Sequence, residues 1–116
     1  MENKPKQSEG ALQQTAFVWH WNSFPDERGL LHANNNNSQN AIKGALNKAM
    51  GVVKGVADME YCKNGKTLFM ELKTATGYQS PEQKRFQALM ESEGFEYVVV
   101  RTFEEFQSAI FSHKKK

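Results

Sequence analysis

Residues 56–73 read VADMEYCKNGKTLFMELK, and this stretch decides the fold. Asn64-Gly65 is the strongest short hairpin signal, because both turn positions of a type I′ loop need positive φ, which Asn and Gly tolerate. With Asn64 and Gly65 as a two-residue loop, Lys63 faces Lys66 and the pairing runs outward through Cys62–Thr67 and Glu60–Phe69 to Asp58–Glu71. The expected strands are 56–62 and 67–73. Leu68, Met70 and Leu72 fall at every second position, on one face, and form an apolar stripe for the core. Glu71 and Lys73 share the other face with Asp58. Directly opposed carboxylates repel one another, so a cation between them would explain their placement. Two hard oxygen donors suit Mg²⁺ or Mn²⁺ rather than Zn²⁺. A lysine beside such an ion fits phosphodiester hydrolysis, in which the ion activates a water and the ammonium orients it or neutralises developing charge. The plainer alternative is a solvated strand face carrying one Glu–Lys neighbour pair.

Outward from the hairpin, the remaining elements alternate. Ser8-Glu9 followed by Leu12, Ala16 and Trp19 reads as a capped amphipathic helix, closed by Pro25 and Gly29. Leu30–Ala33 is a short strand, and Asn34–Ser38 a turn-prone run. Ala41, Ile42, Ala45, Leu46 and Ala49 recur at helical period before Gly51, a C-terminal stop. Ser80-Pro81-Glu82-Gln83 is a capping box with Pro at the first helical position, opening a helix with Phe86, Leu89 and Met90 inward up to Gly94. Tyr97–Val100 is a strand, and Thr102 caps a last helix through Phe103, Phe106, Ile110 and Phe111. The order α-β-α-β-β-α-β-α predicts an α/β fold, a small mixed β-sheet flanked by helices. Residues 1–7 are expected to be disordered, 8–112 to form one domain, and 113–116 to be a basic tail.

Composition narrows the class. The chain has 116 residues, 39% hydrophobic and 24% charged, with a net charge of +2. That length is one domain, and that charge alone does not diagnose nucleic-acid binding. Its longest apolar runs are three or four residues, such as Tyr97–Val100, too short to span a membrane. The polar start lacks a signal-peptide core. Cys62 is the single cysteine, which excludes an internal disulfide and a cysteine-rich zinc site and makes a reducing cytoplasm the simplest home. His20, His32 and His113 show no metal-ligand spacing in sequence, and His20, between Trp19 and Trp21, reads as a helix-end residue packed on aromatics. Tyr78 lies in the 74–79 connector after the Glu71–Lys73 strand, where it can touch a nucleic acid or simply connect.

In ordered motifs the chain resembles the VRR-NUC (virus-type replication-repair nuclease) family of the PD-(D/E)XK nuclease superfamily. Its D…E-x-K core corresponds to Asp58…Glu71-Leu72-Lys73, and its G-x-x-x-G-x-x-D run to Gly51, Gly55 and Asp58. S-x-x-Q corresponds to Ser80…Gln83, E-x-x-x-Q to Glu9…Gln13, and the asparagine after the first strand to Asn34 or Asn35. Ala57 stands where the family often has proline. The resemblance implies a restriction-endonuclease-like core and a Mg²⁺- or Mn²⁺-dependent DNA endonuclease, with no small-molecule cofactor and no membrane. Asp58, Glu71 and the Leu72 carbonyl would hold the metal, with Glu9 approaching it directly or through water. Lys73 would be the catalytic lysine, with Gln83 beside it, and Gln13, Lys54, Tyr78 and Ser80 would lie along the nucleic acid. Small relatives of phage or viral type, associated with DNA repair, imply a homodimer acting on branched DNA such as four-way junctions, in the host cytoplasm. The rival reading is a non-catalytic nucleic-acid-binding module on the same fold.

Overall fold

The computed structural model describes residues 7–34 and 41–116; the side chains of 41–43 are not described. The elements are α1 (Glu9–Ser23), β1 (Leu31–Ala33), α2 (Ala41–Ala49), β2 (Met59–Lys63), β3 (Lys66–Leu72), α3 (Pro81–Ser92), β4 (Glu96–Val100) and α4 (Phe103–Lys114), with a short 3-10 turn at Pro25–Glu27. Their order is the one predicted. The four strands form one mixed sheet in the order β1-β2-β3-β4. β1–β2 and β2–β3 are antiparallel, while β3–β4 is parallel because α3 carries the chain across between them.

The hairpin turns as expected. Asn64 and Gly65 have φ of 60° and 72°, and Lys63 pairs with Lys66. Lys63 is drawn off that like-charge pair toward Glu27, at 3.4 Å. One sheet face buries Met59, Tyr61, Leu68, Met70 and Leu72 against Leu12 and Ala16 of α1 and Phe106 and Ile110 of α4. Trp19 locks the two helices together, with edge contacts to Phe103, Phe106 and Phe111. The opposite face meets α3 through Phe86, which packs edge-on against Phe69.

Several expectations change. β2 begins at Met59 rather than 56, because residues 50–58 form an irregular approach whose Gly55, at φ +90°, lies flush against the backbone of Glu82 at the start of α3. The predicted ladder pair Asp58–Glu71 therefore does not form: pairing stops at Met59–Met70. Leu89 does not face inward but is 55% exposed, since α3 covers only the Phe69–Tyr97 part of the sheet. Phe111 also remains 45% exposed. The basic end is no free tail: α4 runs through Lys114, His113 is buried, and Lys114 lies 3.0 Å from Glu27. The disorder expected for residues 1–7 falls on positions outside the described residues except for residue 7, as does the candidate Asn35.

Candidate active site at the end of the central hairpin

The site lies where β3 ends, and four segments meet there. β3 presents Glu71 with no solvent exposure and Lys73, just beyond the strand, at 9% exposure. Lys73 is held straight by its own N–H, which donates to the Val100 carbonyl at 2.9 Å and continues the β3–β4 pairing by one residue. Asp58 has left the ladder, yet it still reaches β3. Its Oδ2 accepts the Leu72 N–H at 2.7 Å, so a side chain takes the place of the next backbone acceptor. α1 brings its first turn to the same place: Glu9 Oε1 lies 3.8 Å from Lys73 Nζ. That position follows from the Ser8 cap, whose side chain accepts the Ala11 N–H and sets where α1 begins.

The charges in this cluster interact. Burial pushes the Asp58 carboxyl above its ordinary value; the Leu72 N–H lowers it, Glu71 and Glu9 raise it further, and Lys73 lowers it. Glu71 is more confined. The Tyr97 hydroxyl of β4 donates to its Oε1 at 2.5 Å, while Oε2 is buried with no hydrogen-bond partner among the described residues. A buried, unsatisfied carboxylate oxygen is costly, and it faces a region already crowded by a second carboxylate. A divalent cation held by hard oxygens would satisfy that atom and offset the repulsion between the two carboxylates. The donor set therefore fits Mg²⁺ or Mn²⁺, with the Leu72 peptide lying between the two acids.

The other sequence candidates sit around this cluster to different degrees. Gln83 is engaged in the α3 capping box, where its side chain accepts the Ser80 N–H at 2.8 Å and its own N–H donates to Ser80 Oγ at 3.1 Å. Lys54 extends into solvent, 3.7 Å from Glu82 at the same helix start. Gln13 is half-buried one turn after Glu9 in α1, and among the described residues no side-chain hydrogen bond joins the two. Tyr78 is 89% exposed at the tip of the connector that follows Lys73.

Two residues that sequence reasoning passed over belong here. Tyr97 was legible only as a β-strand residue, since nothing local marks its hydroxyl as bound for Glu71. Arg101 donates through Nη1 to the carbonyls of Thr74 and Gly77, at 2.7 and 2.8 Å. It thereby ties down the loop that leads from Lys73 to Tyr78. Asn34, one of two candidates for the asparagine after the first strand, donates to the Ala57 carbonyl at 2.9 Å and so braces the entry to Asp58.

His20 is buried at a helix end, as expected, against Phe24 and Tyr61, and it contacts Glu27 at 3.0 Å. No described helix is long and apolar enough to cross a membrane.

No protein-family model matches the chain, and no curated protein sequence matches it. Among solved structures, one described as a "VRR_NUC domain protein" superposes with a TM-score of 0.77 at 20% identity, covering 99% of this chain and 92% of the other. At that identity the likeness is one of architecture: the chain has the α/β fold of a VRR_NUC domain protein, a four-stranded mixed sheet flanked by helices.

Proposed function

We propose that the chain belongs to the VRR-NUC family and is a metal-dependent DNA endonuclease, hydrolysing phosphodiester bonds with Mg²⁺ or Mn²⁺. The observation that carries this reading is the bare, buried Glu71 Oε2 beside Asp58 and Lys73. A sheet built only to be stable would not keep an unpaired carboxylate oxygen at the end of its central strand.

Asp58, Glu71 and the Leu72 carbonyl would hold the ion, and Glu9 would complete its surroundings directly or through water. When bound, the ion supplies Lewis-acid polarisation of the phosphate and a water of lowered pKa. The protein supplies the rest. Tyr97 fixes Glu71, the Leu72 N–H fixes Asp58, and the Lys73 ammonium faces the same centre as a preorganised positive charge for the attacking water or the phosphate. Gln83 and Gln13 would flank the scissile region. Lys54, Ser80 and Tyr78 would lie along the nucleic acid, Tyr78 as a stacking platform on a loop that Arg101 holds in place.

A domain this small has few side chains for reading base edges, so selectivity would rest on DNA shape. We place it with branched substrates such as four-way junctions, with a two-fold homodimer setting two sites across one branch point. A role in DNA repair in a phage or viral setting follows from the same reading.

The test is cleavage of labelled single-stranded, duplex, flap and four-way-junction DNA with Mg²⁺ or Mn²⁺, with Lys73→Ala in parallel. Cutting that depends on the ion and disappears in the variant supports the nuclease. Binding without cutting by the wild type favours the non-catalytic module. A monomer at micromolar concentration by light scattering would remove the paired-site arrangement.

A further inference from the structure

A second cluster lies on the sheet away from the acidic centre. β1 and β2 pair His32 directly with Glu60, and Cys62 follows two residues along β2 on the same face. The imidazole Nδ1/Nε2, carboxylate and thiol atoms of His32, Glu60 and Cys62 offer one ligand each, all within 4.8 Å of one another.

The hydrogen bonds around His32 leave its geometry incomplete. Nδ1 is 3.1 Å from the Gly29 carbonyl, which can only accept, so Nδ1 carries the ring proton. Neutral His32 then presents a bare Nε2 lone pair to Glu60 Oε2, 3.1 Å away, which is also an acceptor. Two acceptors in contact need something positive between them. A second ring proton would serve for that pair alone; a metal ion would in addition engage the Cys62 thiol, whose Sγ otherwise meets Thr67 Oγ1 at 3.7 Å. A transition-metal ion with bonds of about 2.0–2.2 Å to nitrogen and oxygen spans that gap, and a thiolate at about 2.3 Å completes three ligands. The carbonyl-bound Nδ1–H is the arrangement usual for a metal-ligating histidine. Glu60 is likewise braced, its Oε1 accepting from Asn34 Nδ2 at 3.3 Å. The partial exposure of all three residues leaves an entry path and an open fourth position for water.

We propose that His32, Glu60 and Cys62 form a binding site for a borderline-soft divalent cation of the Zn²⁺ and Co²⁺ class. The N/O/S ligand set selects against Mg²⁺, so this site and the all-oxygen centre at Asp58 and Glu71 differ in metal preference. The ion ties the edge strand β1 to β2. Through Asn34, which also holds the Ala57 carbonyl, it stiffens the corner from which Asp58 projects. The site is independent of the nuclease reading and stands or falls separately.

Cobalt titration of the reduced, metal-stripped full chain tests it. The expected result is one equivalent of Co²⁺ giving a thiolate-to-cobalt charge-transfer band in the near ultraviolet, with visible bands of low-coordinate cobalt. Cys62→Ser should abolish the charge-transfer band. His32→Ala and Glu60→Gln should each weaken affinity roughly tenfold or more, with circular dichroism verifying that each variant is folded. Asp58→Asn should leave the band unchanged, since an oxygen-only site gives none. Zn²⁺ should displace the cobalt and raise the wild-type melting temperature, but not that of Cys62→Ser. The proposal is overturned if wild type gives no thiolate band. It is also overturned if folded His32→Ala and Glu60→Gln bind as tightly as wild type, which would mark a lone thiol.

Discussion

The Tyr97 hydroxyl donates to Glu71 Oε1 at 2.5 Å, so a wholly buried carboxylate is pinned by one oxygen and bare at the other. The two residues sit on neighbouring parallel strands, Tyr97 opposite Phe69 and Glu71 opposite Val99, and they meet diagonally on the face that α3 partly covers. The pinned oxygen sets the direction in which the free one points. Burial and the Glu71 charge together push the Tyr97 hydroxyl well above its ordinary pKa, so it remains a donor throughout the working pH range.

Tyr97→Phe should keep the fold and loosen Glu71. Supports of this kind are typically worth 10–100-fold in metal affinity. We expect Mn²⁺ affinity, read by calorimetric titration, to fall by roughly tenfold. Unchanged affinity would mean that Glu71 needs no such support.

Glu71→Gln separates stability from function. The amide keeps an acceptor for Tyr97 and removes a buried charge whose second oxygen has no partner. In chelator, the variant should be more stable than wild type by about 1 kcal/mol in urea unfolding. With Mn²⁺ present, the wild type alone should gain stability, by ligand linkage. A variant less stable than wild type in chelator would show that the carboxylate is not strained in the metal-free fold.

Acid sensitivity should trace to Glu27. This residue is buried beneath the Tyr61 hydroxyl at 2.6 Å, His20 at 3.0 Å and Lys114 at 3.0 Å. Burial alone would raise its pKa, but hydrogen bonds from Tyr61, His20 and Lys114 outweigh burial and bring it from 4.5 down to about 2. A folded-state pKa below the unfolded one contributes stability that is fully present above the unfolded value and lost as pH falls through the folded one. The stability curve should therefore descend between about 4.5 and about 2. In Glu27→Gln this descent should be shallower and the neutral-pH stability lower, measured by urea denaturation across that range.

Gly55 and Gly51 make an internal control. Both have positive φ, +90° and +94°. A Cβ at Gly51 would meet open space, whereas one at Gly55 would lie 2.5 Å from the Glu82 backbone carbonyl group. Gly51→Ala should cost about 1 kcal/mol, the left-handed penalty alone. Gly55→Ala should cost about 3 kcal/mol, because the loop carrying Asp58 must also move off α3. Equal costs in denaturant melts would mean that the close approach relaxes freely.

Element order, the type I′ hairpin with its register, the Ser8, Ser80 and Thr102 caps and the buried Leu68-Met70-Leu72 stripe were all legible in the sequence, because each depends on residues a few positions apart. Local dihedral preference and period-two or period-3.6 patterning suffice for such features. The nearness of Asp58, Glu71 and Lys73 was legible as spacing around one hairpin, but the ladder pair Asp58–Glu71 expected from that spacing does not form. Packing across the whole chain set how those side chains are held. Asp58 leaves the ladder to take the Leu72 N–H because Gly55 must clear α3, more than twenty residues on in the chain. Tyr97, Arg101 and Glu9 reach the site from three other elements, and His32 finds Glu60 and Cys62 only because β1 pairs with β2. No short-range rule encodes such meetings, since they follow from the packing of the whole core.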